Sequence, residues 1–214
     1  MDLPEDYKRG FKDFLGVEID LSKRPLIPRI ETEYWAKIAI EDIKSKGSVE
    51  CFDLFSGSGC VGLSILRNAP SSICDFGEIE DAFLHQIKIS IDNNAIEEER
   101  YSLIKTDIFS SITKKYDYIL ANPPYVAENR IDEVGEDVKM FEPKVALYGG
   151  YDGMDIIKRF ISDASNYLKE GGKIYLEFDP SQKDEIEGLI GNNYSKCGFH
   201  KDQFDKYRFV IIEK

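Results

Sequence analysis

The sequence predicts an α/β domain on a largely parallel sheet, and three observations lead there. Strand-sized apolar runs alternate with stretches of helical periodicity through most of the chain. The first strong run is followed by a glycine-rich turn that opens a helix. The chain closes on two further runs, at 194–200 and 207–212, with the spacing of a terminal hairpin.

The elements follow in order. Phe11, Phe14, Leu15, Val17 and Ile19 form an extended or hairpin segment, and Thr32, followed by Glu33, starts a helix with Trp35, Ile38, Ala39 and Ile43 on one stripe. Residues 1–47 are therefore expected to be an extension packed on a domain at 48–214. Within that domain, 49–55 is a first buried strand and 59–67 its helix. Residues 72–78 are a second strand, 81–94 a helix, and 101–106 and 116–121 two more strands. Ile156, Ile157, Phe160, Ile161 and Ala164 mark one face of a helix over 154–168 that stops at Gly171-Gly172. A fifth strand at 173–178, a helix at 182–190 and the closing pair complete seven strands.

Bulk properties narrow the function. The 214 residues suffice for one domain with a hydrophobic core, and 42% apolar with 32% charged residues is a globular composition. No apolar run reaches bilayer length, and the acidic start 2–6 lacks the apolar centre of a secretory signal. Cys51, Cys60, Cys74 and Cys197 show no C-x-x-C spacing, so they read as reduced structural thiols of an intracellular protein. With two histidines, His85 and His200, a metal site is not supported. A net charge of −12 argues against a protein that grips nucleic acid by its phosphates.

Asp53-Leu54-Phe55-Ser56-Gly57-Ser58-Gly59 ends the first strand and opens a helix, where glycines let a ligand approach the backbone. A plain tight turn has the same pattern. Glu78, 21 residues beyond Gly57 at the next strand end, is placed to accept ribose hydroxyls. Gly57-x-Gly59-x-x-Gly62 also satisfies the dinucleotide fingerprint, but Asp53 would repel a pyrophosphate and suits the ammonium of S-adenosylmethionine (SAM). SAM is the expected cofactor. Asp107-Ile108, after the third strand, is placed at its adenine edge; a solvent-facing loop aspartate is the plain alternative.

Asn122-Pro123-Pro124-Tyr125 is the strongest motif. The prolines remove donors and leave carbonyls as unpaired acceptors. The Asn122 oxygen and Pro123 carbonyl can take both hydrogens of a substrate NH2 group, aiming its lone pair at the SAM methyl, and Tyr125 can stack on the planar group. No general base is required. The expected enzyme is a SAM-dependent methyltransferase acting on an amide or amine nitrogen, with Asn122 also touching cofactor.

With these motifs the chain resembles the HemK/PrmC family of glutamine-N5 methyltransferases. Leu26-Ile27-Pro28-Arg29-Ile30-Glu31-Thr32-Glu33 is similar to the family's L-I-P-R-P-E-T-E signature. Further matches are Phe141-Glu142-Pro143, Ala146-Leu147, Gly150-x-Asp152-Gly153, Gly171-Gly172, Leu176-Glu177, Gln182 and Asp205-x-x-Arg208. The resemblance implies a class I SAM-dependent fold, seven mostly parallel strands with an antiparallel terminal hairpin. It also implies a protein substrate, the glutamine of a Gly-Gly-Gln motif in a class I peptide release factor, and a cytoplasmic or mitochondrial-matrix location.

The chain departs from the pattern at several places. Phe55 stands where D-x-G-x-G-x-G has its first glycine, so the turn must admit a side chain that packs on cofactor. Glu78 replaces Asp, and Ile30 replaces Pro. The sequence starts at the Tyr7-x-x-Gly10 segment, without the family's N-terminal helical domain, so it is expected to be either a truncated chain or a minimal member whose substrate grip lies elsewhere. The rivals are an adenine-N methyltransferase of RNA or DNA, a glutamine methyltransferase of a ribosomal protein, and a non-catalytic partner subunit of the same fold. A last feature is the acidic loop after the motif, with Glu128, Asp132, Glu133, Glu136, Asp137 and Glu142 against Arg130 and Lys139. It reads as a solvated face or as a rim that steers a basic protein loop.

Overall fold

The computed structural model describes residues 2–191 and 194–214. A short helix α1 (Glu5–Arg9) leads into a hairpin of β1 (Phe11–Phe14) and β2 (Val17–Asp20), then into α2 (Ile30–Lys46). There follow β3 (Glu50–Leu54), α3 (Cys60–Asn68), β4 (Ile73–Glu78), α4 (Asp81–Asn93), β5 (Tyr101–Lys105) and β6 (Tyr116–Ala121). The remainder is α5 (Glu136–Phe141), α6 (Asp155–Ala164), β7 (Leu168–Glu177), α7 (Lys183–Ile190), β8 (Lys196–Lys201) and β9 (Tyr207–Glu213). The main sheet has the order β5-β4-β3-β6-β7-β9-β8. Its first five strands are parallel, and β9 pairs antiparallel with both β7 and β8. The strand order reverses between β3 and β6, so the loops leaving them open a crevice beyond the carboxyl ends of the sheet.

One apolar cluster joins the hairpin and α2 to α3 and α4, and a second fills the other face between β6, β7, α6 and α7. Trp35 is fully buried and stacks on Tyr175 of β7. The hairpin is tied to α4 by Asp20 N–H donating to Ser90 Oγ and Asn94 Nδ2 donating to the Glu18 carbonyl. All four cysteines are free; Cys51 and Cys74 are buried neighbours on β3 and β4. Among the described residues, no helix is long and apolar enough to cross a membrane.

Three local expectations need correction. Helix α2 begins at Ile30, two residues before Thr32, with Arg29 in extended backbone at its cap. The Thr32 hydroxyl does not cap the helix because a buried carboxylate, Glu177, takes it. Ile38 is not on the buried stripe: it is 38% exposed, while Trp35, Ala36, Ala39, Ile40 and Ile43 face the core. Helix α6 ends at Ala164 rather than near Gly171, and β7 already begins at Leu168. Gly171 and Gly172 sit within that strand, where its register against β6 jumps between Tyr116 and Tyr118. Glycine at such a place marks a bulge rather than a helix end.

Candidate active site

Strand register builds the site. Leu54 pairs with Gly77 on one side and Ala121 on the other, and Ala121 pairs with Leu176. One residue further on, Glu78, Phe55, Asn122 and Glu177 therefore form a single row along the carboxyl edge of four adjacent strands. Residues far apart in sequence meet because parallel strands end level with one another.

A pocket of about 980 Å³, counting its open mouth, lies over this row. Asp53, buried at its floor, accepts from Gly62 N–H at 2.8 Å. A β-carbon on Gly62 would stand 2.4 Å from the Phe76 ring, so only glycine lets α3 seat closely enough for that bond. The helix N–H that a pyrophosphate would use is thus already taken by an internal carboxylate, which disfavours the dinucleotide reading. Burial pushes the Asp53 carboxyl up to about 8, opposed by the Gly62 N–H and reinforced by Glu78. Glu78, 7% exposed, accepts from Ile79 and Glu80 N–H on Oε1 and from Gly57 N–H on Oε2. Burial raises its carboxyl, and the three donors work against that rise. A carboxylate has about four acceptor sites, so one remains on Oε2, enough for one hydroxyl rather than a pair.

Phe55 occupies left-handed backbone (φ 61°), the conformation a glycine adopts freely. A side chain there costs about 1 kcal/mol, offset by its ring packing edge-on to Phe160, 6.1 Å between centroids. Ile108 is likewise left-handed and lines the pocket beside Asp107. Asp107 is half exposed and already paired with Arg159 at 2.8 Å. Gly57 lines the pocket, while Gly59 does not and packs instead on α4, where a β-carbon would stand 2.9 Å from Ile87 Cγ1.

A second cavity opens from the same row, walled by Val126, Val134, Val138, Leu147, Pro123 and Tyr125, with Arg29 and Glu177 also in its lining. Asn122 borders both spaces. Its Nδ2 donates to Thr32 Oγ1 at 3.3 Å, and Thr32 donates to Glu177 Oε2 at 2.7 Å. A hydroxyl that has given its proton to a carboxylate can only accept, so the Asn122 amide must present nitrogen to Thr32. Its Oδ1 is then left to accept. The Pro123 carbonyl accepts no hydrogen bond among the described residues. Among the described residues two acceptors thus lack donors, one on Asn122 at the junction of the cavities and one on Pro123 in the lining of the second.

Glu177 anchors this arrangement. It is 1% exposed and accepts from Thr32, from Trp35 Nε1 at 2.6 Å and from the Tyr125 hydroxyl at 3.0 Å. Burial raises its carboxyl; the three donors and the Arg208 guanidinium oppose that. Gln182 holds the motif from the other side, its Nε2 donating to the carbonyls of Tyr125 and Gly153, both at 3.0 Å. A β-carbon on Gly153 would stand 2.3 Å from the Tyr125 carbonyl, which accounts for the Gly-x-Asp-Gly stretch. Sequence assigns neither Thr32 nor Glu177 a role in the site. Continuing the strand register one residue past Ala121 and Leu176 is the signal that reveals Glu177.

The acidic loop needs one correction. Glu142 is not on its rim: its side chain is buried, accepting from Arg29 Nη2 at 2.6 Å and from Ile27 N–H. Glu128, Asp132, Glu133, Glu136 and Asp137 remain exposed.

The family model for the methyltransferase small domain matches residues 33–140. The chain is 33% identical over 213 residues to the release factor glutamine methyltransferase of Streptococcus pneumoniae, covering 98% of this chain and 75% of that one. The corresponding protein of Clostridium botulinum is 32% identical, over 90% of this chain and 68% of its own. The chain belongs to the release factor glutamine methyltransferase family. It is a SAM-dependent methyltransferase of the class I fold. The hMettl16 catalytic domain in complex with a 3'UTR hairpin superposes with a TM-score of 0.71 at 15% identity, over 94% of this chain and 76% of that one. Magnesium protoporphyrin IX methyltransferase from Synechocystis, with bound SAM, gives 0.57 at 12% identity, over 84% and 78%. These two likenesses are of fold.

The pocket of this methyltransferase fits its cofactor. SAM carries a sulfonium, an ammonium and one carboxylate. The charged side chains lining the pocket among the described residues are Asp53, Glu78, Asp107 and a single base, Arg29.

Proposed function

We propose that this enzyme methylates the side-chain amide nitrogen of the glutamine in the Gly-Gly-Gln loop of a class I peptide chain release factor. The observation that carries the reading is the pair of open acceptors, Asn122 Oδ1 and the Pro123 carbonyl, beside a cavity lined by Tyr125 and several aliphatic side chains together with Arg29 and Glu177. The two acceptors receive the two amide hydrogens. That orients the nitrogen and offsets the positive charge it gains, and the Tyr125 ring lies against the amide plane. Pro124 lines the cofactor pocket. SAM, when bound, supplies an electrophilic methyl group. Asp53 receives its ammonium and Glu78 Oε2 one ribose hydroxyl; Phe55, Gly57, Gly59, Asp107 and Ile108 shape the rest of the cofactor site. The extension 1–47 serves the same centre by delivering Thr32. The bacterial relatives support a cytoplasmic enzyme and lend none to the mitochondrial matrix. Mass spectrometry of a release factor incubated with the enzyme and methyl-labelled SAM should place one label on the Gly-Gly-Gln glutamine; label only on other residues, or on RNA, would reject the assignment.

Asp53 gives the cofactor step a pH dependence. Its carboxyl rests near 8 in the ligand-free protein, so at neutral pH binding an ammonium first expels a proton. SAM affinity should fall about tenfold per pH unit below 8 and level off above it. The ligand-free fold has the opposite trend. An acid raised on folding stabilises below its ordinary range, and that contribution drains away as pH rises toward 8. Titration calorimetry between pH 6 and 9, in buffers of differing ionisation enthalpy, reads both the affinity and the released proton; a flat profile excludes Asp53 as the ammonium partner.

The exposed acids of the 128–137 segment should matter for encounter. Arg130 is spent on Glu133 and Lys139 on Glu136, which leaves a net acidic rim beside the cavity. A loop built to enter ribosomal RNA is basic, so the rim steers it, an effect screened over about 10 Å at 0.1 M salt. Added salt should raise KM for the release factor with kcat unchanged, and reversing Asp132, Glu133 and Glu136 together should do the same. A triple reversal that leaves protein methylation intact but tightens RNA binding would favour a nucleic-acid substrate.

A further inference from the structure

We infer that Arg29 is the receptor for the carboxylate at the methionyl end of SAM, an assignment that rests on the cofactor placement above. Three observations carry it. First, among the described residues Arg29 is the sole base of the charged groups lining the pocket, and the ligand carries one anionic group. Second, Arg29 lines both the cofactor pocket and the acceptor cavity, as Asn122 does. It therefore stands at the end where the methyl group must be delivered, whereas Ile108 and Asp107 line the cofactor pocket alone. Third, the guanidinium is held but not used up. Nη2 donates to the buried Glu142, while Nε and Nη1 have no partner among the described residues. A planar guanidinium fixed on one side presents its remaining N–H groups to a second carboxylate in a bidentate geometry.

The competing place for an anion is the N-terminus of α3. There the Gly62 N–H is already bonded to Asp53, whose charge would repel a second carboxylate. Putting the ligand's ammonium on Asp53 and its carboxylate on Arg29 pairs each ligand charge with its opposite. Glu142 lies just past α5, in the acceptor-side loop, so one guanidinium joins that loop to the cofactor.

The test compares SAM with decarboxylated SAM, which keeps sulfonium, ammonium and nucleoside. Dissociation constants are read by calorimetry, without turnover. Wild type should prefer SAM by tenfold or more, on the order expected for a charge-assisted hydrogen bond. Arg29→Met should weaken SAM by about that factor and leave decarboxylated SAM within about threefold, removing the preference. Because that change alone strands a buried Glu142, Arg29→Met/Glu142→Gln is measured beside it and should show the same lost preference. Equal weakening of both ligands, or a retained preference in the double variant, would make Arg29 a structural clamp and overturn the assignment. Wild-type protein that binds neither ligand would instead remove the cofactor placement on which it rests.

Discussion

Replacing Asn122 with alanine should lower kcat by about 10² or more, on the precedent of removing one preorganised group from a charge-stabilising site, while SAM affinity stays close to wild type. The Asn122 amide nitrogen is committed to Thr32, and only Oδ1 faces the acceptor. Loss of the side chain therefore removes the partner of a substrate hydrogen whose bond strengthens as nitrogen becomes positive. The adjoining apolar walls remain. Asn122→Asp is the sharper companion. It offers an oxygen to Thr32 in place of an N–H, so Thr32 must either turn its proton away from Glu177 or repel the new carboxylate. Single-turnover methylation of a release factor by both variants, with calorimetry for SAM, separates the two effects. A rate within a few-fold of wild type in Asn122→Ala would remove the residue from the chemistry.

Glu177 should give the second large effect, on two quantities at once. Glu177→Ala leaves Trp35 Nε1, Thr32 and Tyr125 without their shared acceptor in a dry interior. At about 1–3 kcal/mol for each buried group left unpaired, the variant should unfold well below the wild-type temperature. Glu177→Gln keeps the shape and lets the Tyr125 hydroxyl turn to accept from the new amide. It should fold with a far smaller loss and test the charge itself. A carboxylate just below the acceptor site offsets charge growing on the substrate nitrogen, so kcat should fall by about tenfold or more with SAM affinity unchanged. Since burial lifts the Glu177 carboxyl, the acid limb of the wild-type kcat profile should lie above the ordinary glutamate range and disappear in Glu177→Gln. A Gln variant with wild-type rate and the same acid limb would reduce Glu177 to scaffolding.

Much of this was legible in the sequence because it depends on short-range chemistry. The seven strands, their parallel body and the closing hairpin follow from apolar runs and turns, and the match to the release factor glutamine methyltransferases bears out the family read from the motifs. What stayed hidden is long-range. Thr32 has the pattern of a helix cap, and nothing near it in sequence announces a carboxylate 145 residues away. Glu142 looks like one more acid in an acidic loop until the fold sets it against Arg29 across 113 residues. Gly171-Gly172 follows a helical face closely enough to pass for its terminator, and only the pairing of β6 with β7 shows a bulge. Such errors share a cause: a side chain's partner was supplied by a distant strand or helix, which local propensity cannot anticipate.

The span of the Glu177 bonds also bears on how the enzyme comes into being. During synthesis Thr32 and Trp35 are made early and Asn122 midway, yet the carboxylate that orders them arrives 142 and 145 residues after its first two partners. Even then β7 is an edge until β9, made a further 30 residues on, pairs with it. A nascent chain whose β9 has not yet emerged from the ribosome therefore holds an unassembled acceptor site. Closing so long a loop is entropically slow, so methyl-transfer competence should appear with the last cooperative step of folding.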